Sequence, residues 1–233
     1  MIVLALDTTT RAGSAAVLRD DVVLAERTGD PSLTHGERLP RELISVLGDA
    51  AVRIEDVELF AVAAGPGSFT GLRVGIAAIQ GLAMATGRRV VPVSTLDALA
   101  RAAVNAHRPI AVWMDAQRGE VFAALYAPGG REVLEAAQSS SPDAVLDEWS
   151  RSVDLRTAVF IGDGAERYRD RIAVLEGGGL DEPRVISAPA LAGVIGRIAA
   201  GAPELAVLPH AIVPIYVRKS DAEIARARRA ARD

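Results

Sequence analysis

The chain has 233 residues, of which 50% are hydrophobic, and a formal net charge of −4 at pH 7. This composition provides material for a real core, excludes a mainly disordered chain, and does not call for a nucleic-acid or membrane surface. Cysteine is absent, which excludes disulfides, thiolate nucleophiles and cysteine metal sites. Lys219 is the only lysine among the 26 basic residues, which argues against a Schiff-base or Walker-type lysine.

The first 28 residues predict a strand, a loop and a hairpin. An apolar run at residues 2–6 ends at Asp7, and further apolar runs follow at residues 15–18 and 22–25. The chain enters the first strand without a basic leader, and no apolar run approaches the roughly 20 residues of a membrane span. We therefore expect a soluble, cytoplasmic protein.

Two helix starts follow the hairpin. Thr34-His-Gly-Glu37 has the form of a capping box and predicts a helix start, although Pro40 leaves a later start open. His35 is either polar surface or a ligand contact. The glycine-rich stretch GPGSFTGLRVG, residues 65–75, predicts a turn before a second helix, with Ser68 or Thr70 as its cap and with amides that would suit an anion.

Small and large apolar residues alternate along this second helix. They are Gly71, Leu72, Gly75, Ile76, Ala78, Ile79 and Leu82. The spacing of the small residues predicts a smooth face that another helix can approach closely. That helix is either the preceding one, which carries Leu39, Leu43 and Leu47, or one from another chain. We expect both: a packed pair of helices with a joint apolar face.

The second half repeats the plan of the first. An apolar run ends at Asp115 and resumes at residues 121–126, as around Asp7, and a strand before a Gly-x-Gly turn follows in both halves. These patterns predict an α/β fold of two duplicated lobes, residues 1–106 and 107–233, with mixed sheets flanked by helices.

Connecting segments are predicted from composition. Residues 89–93 indicate a strand, and Ser94 caps a helix that runs to Val104. Residues 105–109 are the predicted linker, residues 138–142 and 177–179 are predicted loops, and residues 221–233 form a predicted exposed helix.

The first candidate site is built around Asp7. It stands at the end of a strand before three threonines, an arrangement that suits phosphate and Mg²⁺, and Asp115 would face it from the other lobe. The alternative is that each aspartate stabilises its own turn. The candidate cofactor-binding residues are Asp7, Thr8, Thr9, Ser68 and Asp115. The three histidines are far apart in sequence and form no H-x-x-x-H pair, so a metal site is not expected.

Five motifs taken together resemble the TsaB (YeaZ) family of the ASKHA superfamily, the actin-like ATPases and sugar kinases. They are ALDTTT, THGERLP, GPGSFTGLRVGIA, MDAQRGEVF and PIYVR. The resemblance implies a duplicated RNase H-like fold. It also implies a role in the threonylcarbamoyl modification of the adenosine beside the tRNA anticodon. In that system the TsaD subunit transfers the threonylcarbamoyl group, this family is its non-catalytic dimerisation partner without a metal site, and the ATPase TsaE joins the complex.

The resemblance further implies that the two helices of the first lobe form the partner-binding face, and that the isolated protein forms a homodimer through it. The implied partner residues are His35, Leu39, Leu43, Gly71, Leu72, Gly75, Ile76 and Ile79. Transfer RNA would be reached through the complex, and the resemblance leaves open whether ATP or ADP with Mg²⁺ binds in that assembly.

Two other functions stay open. One is an independent ATP- and Mg²⁺-dependent phosphotransferase or ATPase that uses Asp7 and Asp115. The other is direct contact between tRNA and the basic C-terminal segment, whose alternative is ordinary solvated surface. The arginines in question are Arg226, Arg228, Arg229 and Arg232.

Overall fold

The computed structural model describes residues 1–103, 107–175 and 185–218. Within these residues ten strands form two five-stranded sheets. The first sheet contains β1 (Ile2–Asp7), β2 (Ser14–Arg19), β3 (Val22–Thr28), β4 (Leu59–Gly65) and β5 (Arg89–Ser94). The second contains β6 (Ile110–Asp115), β7 (Val121–Tyr126), β8 (Val133–Ser140), β9 (Val159–Ile161) and β10 (Val185–Ile186).

The helices connect and cover these sheets. In the described residues they are α1 (His35–Asp49), α2 (Phe69–Thr86), α3 (Thr95–Ala102), α4 (Pro142–Trp149), α5 (Asp163–Arg167), α6 (Arg169–Ala173) and α7 (Ala192–Ala200).

The two sheets have the same strand order, which confirms the predicted duplication. The order β3-β2-β1-β4-β5 in the first corresponds to β8-β7-β6-β9-β10 in the second. In each sheet the first strand pairs antiparallel with the second and parallel with the fourth. Asp7 and Asp115 end β1 and β6 and therefore occupy matching positions.

The molecule is built in layers that share three hydrophobic cores. The central core joins the facing sides of both sheets to α3 and α7. A second core lies between the outer side of the first sheet and helices α1 and α2, and a third lies between the outer side of the second sheet and α4–α6. By length and composition α2 could cross a membrane, but it packs on the first sheet, with Ile79 and Ala83 fully buried.

The helix caps decide where the first helices begin. The backbone N–H and the hydroxyl of Thr34 donate to the Glu37 carboxylate at 2.8 and 2.6 Å, so α1 begins at His35 and the later start at Pro40 is wrong. Ser94 accepts the N–H of Asp97 at 3.3 Å and caps α3 as predicted.

The predicted loop at residues 138–142 is wrong. Residues 138–140 belong to β8, where Gln138 pairs with Ala123 and Ser139 with Phe122. Ser141 then accepts the N–H of Ala144 and caps α4. The polar composition reflects an edge strand whose side chains reach solvent, because a strand needs apolar residues only on its covered face.

Helix α7 comes late in the chain but packs on the first sheet. The Ser14 hydroxyl accepts the N–H groups of Leu191 (3.1 Å) and Ala192 (3.0 Å), and Glu26 accepts that of Gly193 (2.7 Å). A domain boundary at residue 106 would therefore separate α7 from the sheet that it covers. The division into lobes 1–106 and 107–233 stays a prediction. Several predicted features lie outside the described residues: Val104, residues 105–106 of the predicted linker, the glycines at 177–179 and the C-terminal arginines.

Candidate functional site

An open cleft of about 1400 Å³ lies where the carboxyl ends of β1, β4 and β6 converge. All five sequence motifs contribute to its walls. The contributing segments are Thr9–Arg11, Thr34–Gly36, residues 66–74, residues 115–118 and residues 215–218. Motifs that are far apart in the sequence therefore meet in one site.

Asp7 lies beneath this cleft and is not part of its wall. The residue is 3% exposed, and its carboxylate accepts hydrogen bonds from the backbone N–H (2.8 Å) and the hydroxyl (2.6 Å) of Thr9. Burial raises the pKa of Asp7 above its ordinary value, and the two bonds from Thr9 oppose that shift. This geometry matches the alternative in which the aspartate stabilises its own turn.

Asp115 lines the cleft, but both of its carboxylate oxygens already have partners. Oδ1 accepts the backbone N–H of Gln117 at 3.0 Å, and Oδ2 accepts the Gln117 side-chain amide at 2.7 Å and Arg167 at 2.8 Å. The backbone N–H of Asp115 donates to Asp163 at 3.0 Å. Desolvation in the cleft and the negative charge of Asp115 raise the pKa of Asp163. Sequence reasoning did not single out Asp163.

These carboxylates do not fit a Mg²⁺ ion shared between Asp7 and Asp115. Asp7 is buried beneath the loop after β1, and the Arg167 guanidinium already pairs with Oδ2 of Asp115. No group of three His, Cys, Asp or Glu side chains in the described part of the chain is placed to hold a metal ion.

Close packing explains the glycines of the 65–75 motif. A Cβ at Gly67 would lie 2.5 Å from the Cβ of Thr9, and a Cβ at Gly71 would lie 2.1 Å from the Thr8 carbonyl oxygen. At Gly75 it would lie 2.0 Å from Thr8 Oγ1. The expectation that another helix approaches Gly71 and Gly75 is therefore wrong, because the loop after β1 fills that space.

The remaining candidate cofactor residues lie in the loop after β1 and at the start of α2, which packs against that loop. Thr8 and Thr9 are buried, and the Thr8 hydroxyl has no hydrogen-bond partner among the described residues. Ser68 donates its N–H to the Thr9 carbonyl at 2.8 Å, and its hydroxyl accepts the N–H of Gly71 at 3.2 Å as the cap of α2. Cofactor binding by these residues stays a prediction.

His35 and Arg38 tie α1 to the same loop. Nε2 of His35 is 3.0 Å from the Thr10 carbonyl oxygen, and Nδ1 is 2.8 Å from the Arg38 guanidinium. Arg38 is 4% exposed and also donates to the carbonyls of Arg11 and Ala12. Burial and the charge of Arg38 lower the pKa of His35, so the neutral Nε2–H form satisfies both contacts.

The residues predicted for the partner face are mostly interior. All except the half-buried His35 are buried within this chain. They are Leu39, Leu43, Gly71, Leu72, Gly75, Ile76 and Ile79. Sequence periodicity located the apolar side of each helix, and that side covers the first sheet.

The outward sides of the same helices expose a different set of small and apolar residues. We call this set the α1–α2 face: Pro40, Ile44 and Gly48 on α1, and Ala77, Gly81, Met84 and Ala85 on α2. Ile44 is 72% and Met84 is 67% exposed. A Cβ placed on Gly48 or Gly81 would meet nothing within 4 Å, so both positions open to solvent.

The segment Ile215–Arg218 crosses the cleft. Sequence reasoning used PIYVR only as part of a resemblance and missed this position. The N–H of Ile215 donates to the Ala64 carbonyl at 2.7 Å, and the Tyr216 ring lies 5.6 Å from the ring of Phe69. Arg218 donates to the Ala116 carbonyl at 3.0 Å. This segment is a short run of apolar and aromatic residues, and its sequence did not indicate which surfaces it contacts.

Comparison with known proteins identifies the family. A family model described as TsaD, tRNA N6-adenosine threonylcarbamoyltransferase, matches residues 30–152. An uncharacterized protein of Mycobacterium tuberculosis is 33% identical over 95% of this chain and 93% of its own length. The "tRNA threonylcarbamoyladenosine biosynthesis protein TsaB" of Bacillus subtilis is 28% identical over 96% of each chain.

Among solved structures, YeaZ from Pseudomonas aeruginosa superimposes with a TM-score of 0.74 at 28% identity, over 92% of this chain and 99% of that one. This similarity extends over both sheets and agrees with the duplicated strand order. By sequence and by fold, the chain belongs to the TsaB (YeaZ) family.

Proposed function

We propose that this protein acts in the biosynthesis of threonylcarbamoyladenosine in tRNA, in the cytoplasm, as a non-catalytic subunit that binds TsaD. Family membership supports the pathway, since relatives from Bacillus subtilis and Escherichia coli are named as TsaB proteins of this biosynthesis. TsaE would join the complex, and tRNA would be bound through it.

The α1–α2 face carries the proposed contact with TsaD. Ile44 and Met84 are large apolar side chains that are mostly exposed, and small residues around them let another surface approach closely. Both helices are anchored on the first sheet by buried apolar residues, which fixes the outward side of each helix. A homodimer through the same face would compete with TsaD for it.

An independent Mg²⁺–ATP phosphotransferase is the second candidate. The matching positions of Asp7 and Asp115 favour it. Two contacts disfavour it: Thr9 donates a hydrogen bond to the Asp7 carboxylate, and Arg167 forms an ion pair with Asp115. Calorimetry of the isolated chain with Mg²⁺–ATP separates the two, since tight binding with turnover would support the enzyme.

The docking experiment compares two exposed positions with a matched control. We expect Ile44→Asp and Met84→Asp to weaken binding to TsaD at least about tenfold, because each would bury an unpaired charge. Val133→Asp changes a residue that is 51% exposed on β8 of the other sheet and should leave binding unchanged.

The measurement is the dissociation constant for TsaD from the same organism, together with threonylcarbamoyl transfer to tRNA. Light scattering of the isolated variants reports on the homodimer. Unchanged affinity of both variants, or an equal loss in Val133→Asp, would refute docking through this face.

A further inference from the structure

The segment Ile215–Arg218, which we call the strap, holds three elements at once. Its first hold is on β4, where the Ile215 N–H donates to Ala64 at 2.7 Å. Gly65 leaves room for this contact, because a Cβ there would lie 2.5 Å from the Ile215 carbonyl oxygen. The strap backbone therefore lies directly on the end of the strand.

The second hold is on the first turn of α2. The ring of Tyr216 packs against Phe69 at 5.6 Å, and the Arg73 guanidinium lies 3.9 Å above the centre of the same Phe69 ring. Arg73 Nε is also 3.4 Å from the Tyr216 hydroxyl. Phe69 and Tyr216 are both exposed in part, so this contact can open without unfolding the core.

The third hold is on the turn between β6 and β7, in the second sheet. Arg218 donates to the Ala116 carbonyl at 3.0 Å and to the Glu120 carboxylate at 3.2 Å. Its guanidinium also lies 5.9 Å from the centre of the Phe122 ring. Arg218 is the residue by which the strap reaches the second sheet.

We propose that the strap couples the two sheets to the N-terminal turn of α2, so that releasing its contacts with the second sheet alters the order of that turn. Arg218 is a positioning residue in this arrangement, because it acts on α2 through Tyr216 and does not contact the helix-start reporters itself. Since α2 carries half of the α1–α2 face, the consequence for TsaD binding rests on the proposed function. The coupling within the chain does not.

Amide hydrogen exchange of the full chain without any partner tests the coupling. The reporters are the N–H of Ile215, bonded to Ala64, and the N–H groups of Gly71 and Leu72, bonded to Ser68. We expect Arg218→Ala to speed exchange at all three by roughly tenfold, the size expected for losing one charge-assisted hydrogen bond. Tyr216→Ala should speed exchange at Gly71 and Leu72, whereas Tyr216→Phe, which keeps the ring, should change them less.

Arg167→Ala is the matched control. It removes an arginine–carboxylate pair at the same cleft, but Arg167 and Asp115 both belong to the second half of the chain. Exchange at the three reporters should stay at the wild-type rate, and thermal unfolding confirms that each variant is folded. Wild-type exchange in Arg218→Ala, or equal acceleration in Arg167→Ala, would overturn the coupling. Unchanged TsaD binding in both Ile44→Asp and Met84→Asp would instead overturn the docking face.

Discussion

The carboxylate of Asp7 is buried under the loop that follows β1 and is held by Thr9. Burial disfavours its ionised form by more than the two bonds from Thr9 favour it, so the pKa of the folded state lies above the ordinary value of 3.8. The folded protein then binds this proton more tightly than the unfolded chain does. The contribution of Asp7 to the free energy of unfolding is therefore largest at low pH. It is lost as the pH rises from about 4 through the raised pKa.

Replacing Asp7 by Asn removes this titration. We expect the free energy of unfolding of Asp7→Asn to rise relative to wild type as the pH increases from about 4, and to level off above the raised pKa. Urea unfolding at a series of pH values measures it. Asp30→Asn is the control with the opposite sign, since bonds from Ser32 lower the pKa of Asp30. Parallel profiles for wild type and Asp7→Asn would contradict the expectation.

Helix α2 and the loop after β1 form one packed unit. The helix has no Cβ at Gly71 and Gly75, and the backbone and side chain of Thr8 fill the space so created. The same helix offers an exposed glycine, Gly81, at which an added Cβ would meet nothing within 4 Å. The two kinds of glycine have opposite consequences for stability.

We expect Gly75→Ala to destabilise the fold by about 1–3 kcal/mol through overpacking against Thr8. Gly81→Ala should stabilise it by about 0.5–1 kcal/mol, because alanine favours an exposed helix over glycine. Chemical denaturation of both variants measures the difference. Adding Thr8→Ala to Gly75→Ala should recover part of the loss, and additive effects in this double-mutant cycle would refute the contact.

The path of the chain makes the two halves interdependent. Helix α7 follows the second sheet in sequence, yet Leu191, Ala192 and Ile195 belong to the central core and cover the first sheet. Its N-terminal N–H groups are satisfied by Ser14 and Glu26 of that sheet. The first 106 residues therefore lack the helix that covers one of their faces.

We expect residues 1–106 expressed alone to lack a cooperative unfolding transition and to bind a dye for exposed apolar surface. Co-expression with residues 107–233 should restore a soluble complex, because α7 then covers the first sheet. Circular dichroism during heating and co-purification measure these outcomes. A cooperative transition in the isolated fragment would show that the predicted lobe 1–106 is an independent domain.

The local elements were largely predictable. The strand ends at Asp7 and Asp115 and the Thr34 and Ser94 caps follow from patterns within about ten neighbouring residues, where backbone geometry and side-chain period act directly. The duplicated order follows from the similarity of such patterns in the two halves of the chain. Residues 138–140 were wrongly predicted to form a loop because they are polar. They belong to an edge strand, which needs few apolar residues.

The sequence alone was sufficient for the strands that end at Asp7 and Asp115, the Ser94 cap, the repeat and the family, because each depends on neighbouring residues or on a distinctive motif. Three-dimensional packing settled the rest: Thr9 covers Asp7, Thr8 fills the space at Gly75, Ile44 rather than Leu43 faces outward, and Arg218 reaches across the cleft. These are contacts between residues far apart in the chain, or the choice of one helix side over another. Only the folded arrangement of sheets and helices determines which groups meet.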